Sequence, residues 1–145
     1  MERLTLFRPV LVKVKVTEAY KREVAAELQE ALRRVELELQ HLDFQEKRLA
    51  AELEKKNPQG IAAARQHLEQ ERQHRHERRR KLIERLKEVG QLALGSEVIL
   101  ARMEGPVELR VGDDWRKVLG VEVVLEDGII TAIRQADPGE GLSNA

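Results

Sequence analysis

The chain has 145 residues, 26 of them basic and 26 acidic, so its formal net charge is zero. Charged residues make up 36% and aromatics only 3%, a composition that suits long solvated helices better than one large globule. The absence of cysteine excludes disulfides, thiolate zinc sites and cysteine nucleophiles, and the balanced charge gives no global pull towards nucleic acid or anionic membrane.

The longest apolar stretch near the start, Val10 to Val16, is broken by Lys13 and Lys15. No signal-peptide core is visible, and nothing approaches the ~20 apolar residues that span a bilayer. The expectation is a soluble, cytoplasmic protein with no membrane partner.

Residues 7–16 alternate, with Val10, Val12, Val14 and Val16 on one face and Leu11, Lys13 and Lys15 on the other. Period two with β-branched residues predicts a half-buried strand, with Pro9 at its start or on an edge. Thr17 is then placed to cap a helix, with Glu18 in the first turn. From there to Lys56 no Pro or Gly occurs. Leu28, Leu32, Val35, Leu39, Leu42, Glu46, Leu49 and Leu53 fall at alternating spacings of four and three, a heptad seam with one polar flaw at Glu46. At ~1.5 Å per residue this helix would be ~60 Å long, and such a stripe requires a partner helix.

Residues 57–60, Asn-Pro-Gln-Gly, supply a turn. A second helix follows to about Val89, where Gly90 is the stop signal, and Ile61, Leu68, Leu82, Leu86 and Val89 continue the seam. The pair reads as an antiparallel coiled-coil hairpin over 18–90. Beyond it, 97–102, 107–111, 121–125 and 129–134 have strand character. Reversals are expected at Gly105-Pro106, at 111–114 and at Asp127-Gly128, the strongest hairpin signal available. Trp115 is expected to pack on this sheet or cap its end, and the tail from Ala136 to be loose.

The fold class predicted is therefore α+β. A long coiled-coil hairpin is inserted between an N-terminal strand (1–17) and a small antiparallel β-domain (91–135), with the strand joining that domain and a tail over 136–145.

Charge is unevenly placed: residues 1–17 net +3, 18–56 net −2, 61–89 net +4 and 90–145 net −5. The sharpest feature is 72–81, Arg-Gln-His-Arg-His-Glu-Arg-Arg-Arg-Lys. It puts Arg72, Arg75 and Arg79 on the seam. Antiparallel pairing about the turn sets Arg72 across from 45–46, Arg75 across from Leu42 and Arg79 across from Glu38. Two readings stand: internal salt bridging with aliphatic stems covering the seam, or a phosphate-binding patch for RNA formed by Arg75, Arg78, Arg79, Arg80 and Lys81. No aromatics are interleaved for base stacking.

Leu37 and Phe44 lie seven apart, about 200° from the seam, and mark a face for self-association or a protein partner. His67, Glu71 and His74 share a helical face, but the order required for a zinc site is absent. No Gly-rich phosphate loop, nucleophile elbow or paired carboxylates occur. The expectation is no catalytic residues, no metal and no cofactor: a non-enzyme.

Leu94-Gly95-Ser96-Glu97, then 111–115 (Val-Gly-Asp-Asp-Trp), 126–130 (Glu-Asp-Gly-Ile-Ile) and Ile133-Arg134 resemble the YlqD family, as does a strand followed by a long charged helical pair. The resemblance implies a bacterial protein of uncharacterised function. Members are often encoded beside genes for ribosome assembly and tRNA modification, which implies an RNA- or ribosome-associated role as the alternative to a scaffold. It brings no catalytic residues.

Overall fold

The structure, a computed structural model, describes residues 1–53 and 58–136. The elements in chain order are β1 (Arg3–Lys15), α1 (Glu18–Leu53), α2 (Pro58–Gln91), β2 (Glu97–Arg110), α3 (Trp115–Val118), β3 (Val121–Glu126) and β4 (Ile129–Gln135). This is a mixed α+β protein: two long helices and a four-stranded sheet. Among the described residues no helix is long and apolar enough to cross a membrane. The chain divides into two compact units, one formed by Met1–Tyr20 with the chain from Leu92 onward, the other by Lys21–Gln91.

In the first unit the strand order is β2-β1-β3-β4. The N-terminal strand does join the C-terminal ones, but the sheet is mixed and not antiparallel. β1 runs antiparallel to β2 and parallel to β3, and β3 and β4 form an antiparallel pair. Period-two patterning fixes which face a side chain occupies and leaves the neighbour and its direction open. Residues 111–120, including α3, carry the chain from β2 past β1 to β3.

The two strands expected over 97–102 and 107–111 are one, β2, which runs unbroken through Gly105-Pro106. Pro106 is tolerated because β2 is an edge strand, where a missing N–H breaks no ladder. Val12 pairs with Ala101 and Lys13 with Ile99, so Leu100 is the extra residue of a bulge. At the other end of the sheet, Asp127 (φ 49°) and Gly128 (φ 82°) both have positive φ, as the tight turn between β3 and β4 demands. The reversal at 111–114 is also present, with Gly112 at φ 101°. Trp115 opens α3 and is 61% exposed. Ala136 donates its N–H to the Gly120 carbonyl at 3.1 Å, so it is tied rather than loose. The rest of the expected tail lies outside the described residues.

Cross-strand partners share a face. One face carries Leu11, Lys13 and Lys15 with Glu122 and Val124; the other carries Val10, Val12 and Val14 with Val121, Val123 and Leu125. Leu11 and Val124 are buried on the first face, together with the charged Lys13 (8% exposed) and Glu122 (3%). On the valine face only Val14 is buried among these six residues. Lys13 Nζ lies 2.8 Å from Glu122 Oε1, so each charge supplies what the other loses on leaving water.

At the start of α1 the Thr17 hydroxyl accepts the Tyr20 N–H (3.1 Å) and donates to Asp127 Oδ1 (2.7 Å). The cap is as expected, and it is also fastened to the β3–β4 turn. In the second unit the seam of α1 is the least exposed stripe: Leu28, Val35 and Leu42 are buried, and Leu32, Leu39, Glu46 and Leu49 are half-buried. On α2, Ile61, Leu68, Leu82, Leu86 and Val89 are half-buried. Pro58, Gln59 and Gly60 belong to the first turn of α2 and not to a turn over 57–60. Proline favours a helix start, because its missing N–H is one the first turn leaves unpaired anyway. Asn57 lies outside the described residues. The helix also runs past its expected stop, through Gly90 to Gln91, and the Gly90 carbonyl accepts from Lys21 Nζ at 3.0 Å.

Candidate functional site

The basic stretch of α2 is threaded with acidic partners. Arg72 reaches Asp43 at 2.9 Å and Glu69 at 3.4 Å and is hydrogen-bonded to Glu46. Arg75 pairs with Glu38 at 3.1 Å and with Glu71, and Arg79 with Glu36 at 3.4 Å. Arg80 is clamped between Glu77 at 2.5 Å and Glu84 at 2.6 Å. Residue numbers thus fall along α1 as they rise along α2. The polar flaw Glu46 does face Arg72, as the spacing predicted, but Arg75 and Arg79 meet Glu38 and Glu36 in place of Leu42 and Glu38. Arginine side chains are long and lean along the helix, so charge pairs do not report the same offset as a packed seam.

These pairs leave their electrostatic mark. The Glu46 hydrogen bond raises Arg72, the Glu38 hydrogen bond raises Arg75 and the Glu77 hydrogen bond raises Arg80 above the ordinary arginine range. In return the Arg80 hydrogen bond holds Glu77 below the usual carboxylate range. Of the five residues expected to contact RNA, Arg75, Arg79 and Arg80 therefore already have acidic partners. Among the described residues Arg78 and Lys81 form no salt bridge, although Lys81 lies close enough to Glu77 to help lower its pKa; both line a small hollow with Glu38, His74, Arg75 and Glu77.

Leu37 and Phe44 stand exposed on α1, at 50% and 63%. Leu37 borders an open groove of about 860 Å³ between α1 and α2. The floor of this groove is apolar, with Leu42, Leu49, Ala64 and Leu68, and its walls carry His41, Gln45, Arg48, His67, Glu71 and Arg75. Residues 37, 41, 44 and 48 recur at helical spacing, so Phe44 continues the stripe that forms the α1 wall. The groove was not legible from the seam alone.

A second feature missed by sequence reasoning is the charge cluster on the sheet. Glu122 accepts from Lys13 and also from Arg134 Nε at 2.7 Å, and Arg134 goes on to Glu97. The Glu97 hydrogen bond, and secondarily that of Glu122, holds Arg134 well above the ordinary arginine range. The signal was a lone glutamate inside Val-Glu-Val-Val-Leu, which could be resolved only once its neighbour strand was known. Among the described residues no group of three His, Asp or Glu side chains is placed to hold a metal ion.

A four-stranded mixed sheet assembled from both ends of the chain, with two long ion-paired helices between them, defines a class of α+β proteins. The chain belongs to the YlqD family, whose model matches residues 4–134. No curated protein matches it. It is similar in fold to a crystal structure of a protein of unknown function from Synechococcus sp. WH 8102, at 23% sequence identity and a TM-score of 0.71, covering 91% of this chain and 95% of that one.

Proposed function

We propose that the protein is a non-enzymatic interaction protein of the cytoplasm. In this reading Lys21–Gln91 forms a coiled-coil hairpin whose groove and Leu37/Phe44 stripe receive a helical protein partner or the hairpin of a second copy. The observation that carries this is an apolar groove bordered by the exposed Leu37, with the exposed Phe44 further along the same stripe of α1, a geometry suited to an amphipathic helix. The charges around it are largely neutralised within the chain, which lowers the cost of covering them. Phe44→Glu should abolish capture of that partner, or of a tagged second copy, by the full chain. The same captured set with wild type and Phe44→Glu would sink the idea.

The second reading, an RNA- or ribosome-associated factor, is favoured by one observation: Arg78 and Lys81 lie in one hollow, and among the described residues neither is in a salt bridge. Two cations outside salt bridges give a weak, salt-sensitive interaction. Structured RNA should bind with a salt slope of roughly −1 to −2 that Arg78→Glu/Lys81→Glu removes. A wild type with no salt-dependent binding excludes this reading.

A further inference from the structure

The valine face of the sheet is apolar across all four strands. Met103 shares it through its pairing with Val10, Ile133 through Val123, and Ile130 through Leu125. These three side chains are 59%, 70% and 58% exposed. Arg8 is the charged residue that register places there, and it lies towards the long free end of β1–β2. From strand lengths of 13, 14, 6 and 7 residues, a rise of ~3.3 Å and a spacing of ~4.8 Å, the face covers roughly 600 Å² in plan. Apolar patches on a monomer rarely exceed about 300–600 Å², and a standard interface buries about 800 Å² per partner once side-chain relief is counted.

We propose that this face is the interface with a second copy of the chain, the two sheets packing front to front as in a β-sandwich. Three observations favour a second copy as the occupant. A two-fold contact sets a patch against itself, so a charged patch would oppose like charges, and this one has almost none to oppose. Its composition is that of the strongly apolar interfaces found in homodimers rather than of the mixed interfaces of passing partners. Its area is on the scale a stable dimer needs. Residues 137–145 contain Pro138, Leu142 and Ala145 as their apolar side chains, too little apolar surface to cover the face. This inference concerns the sheet unit alone, so the hairpin reading can fail without it, and the reverse.

The test uses the full chain, which has no cysteine of its own. An Ile133→Cys thiol should react with a maleimide at least tenfold more slowly in concentrated than in dilute samples, in step with dimer formation seen by sedimentation. Phe44→Glu should leave that protection intact, and Met103→Glu in the same chain should abolish it. A labelling rate independent of concentration in a monomeric protein overturns the proposal. Protection that persists in a sample shown to be monomeric means the chain covers its own face, and also overturns it. So does protection lost with Phe44→Glu, which would place the contact on the hairpin.

Discussion

Lys13 and Glu122 are the side chains whose environment departs furthest from their chemistry. Both are nearly solvent-free and 2.8 Å apart, so removing Glu122 takes from a buried ammonium its close carboxylate, whereas without Lys13 the glutamate still holds Arg134. Glu122→Ala should destabilise the sheet unit by about 3–5 kcal/mol, read as a drop in the urea midpoint. Lys13→Met/Glu122→Leu should recover most of that loss, because replacing a buried pair with apolar residues of similar volume is close to neutral. A single variant within 1 kcal/mol of wild type would show that the pair is wetter than its burial implies. The sequence shows Lys13 on the face opposite the valines, and that assignment holds. It does not show that this face is the buried one. That depends on β3 lying beside β1 in parallel, which sets Glu122 diagonally across from Lys13. Alternation along one strand contains no information about that neighbour. By contrast the Asp127-Gly128 turn and the Thr17 cap were legible, because each rests on contacts within a few residues.

At the scale of the element, α2 is the unusual helix. Three arginines occupy positions where its partner's pattern calls for apolar side chains, and they bind across to α1 by charge. Arg72 is the least comfortable of them: its Nε is buried without a hydrogen-bond partner, although its other nitrogens reach Asp43, Glu46 and Glu69. Those three acids are all partly exposed and can turn to water if the arginine leaves. Arg72→Leu should therefore stabilise the helical unit by about 1 kcal/mol, or roughly 4–8 °C in the melting midpoint followed by circular dichroism at 222 nm. A midpoint that falls by as much would mean that the ion pairs outweigh the buried nitrogen. The heptad spacing was enough to find both helices and to foresee Glu46 facing Arg72. It missed the groove, because a seam pattern locates contact lines and says nothing of how closely two helices approach.

At the scale of the whole molecule, the sheet unit is discontinuous in sequence, yet its two pieces meet tightly. Val16 donates to the Ser96 carbonyl at 2.7 Å, and Gly95 donates to the Val16 carbonyl at 2.8 Å, so the ladder of β1 and β2 continues to the point where the helices leave and return. Replacing residues 18–93 with a short glycine-containing turn should therefore preserve all four strand pairings. Slow hydrogen exchange at Leu11 and Val124 amides would report them, and rapid exchange at both would show that the sheet depends on the helices. That the two chain ends share one sheet was legible, because the lone N-terminal strand had an apolar face and needed partners. The strand order was not, since it is set by a crossing of ten residues, 111–120, that contains no pattern of its own.

The discontinuity also has a consequence during synthesis. β1 leaves the ribosome first, and the glutamate that neutralises Lys13 follows more than a hundred residues later, roughly 5–20 s at ordinary elongation rates. Throughout that interval Val10 to Val16 is a bare, β-prone apolar segment of the kind that nucleates aggregates. Lys13 and Lys15 interrupt it with positive charge at two of its seven positions. The lysine that ends buried in the sheet is thus, earlier in its life, what keeps the nascent strand from sticking to its neighbours on the polysome.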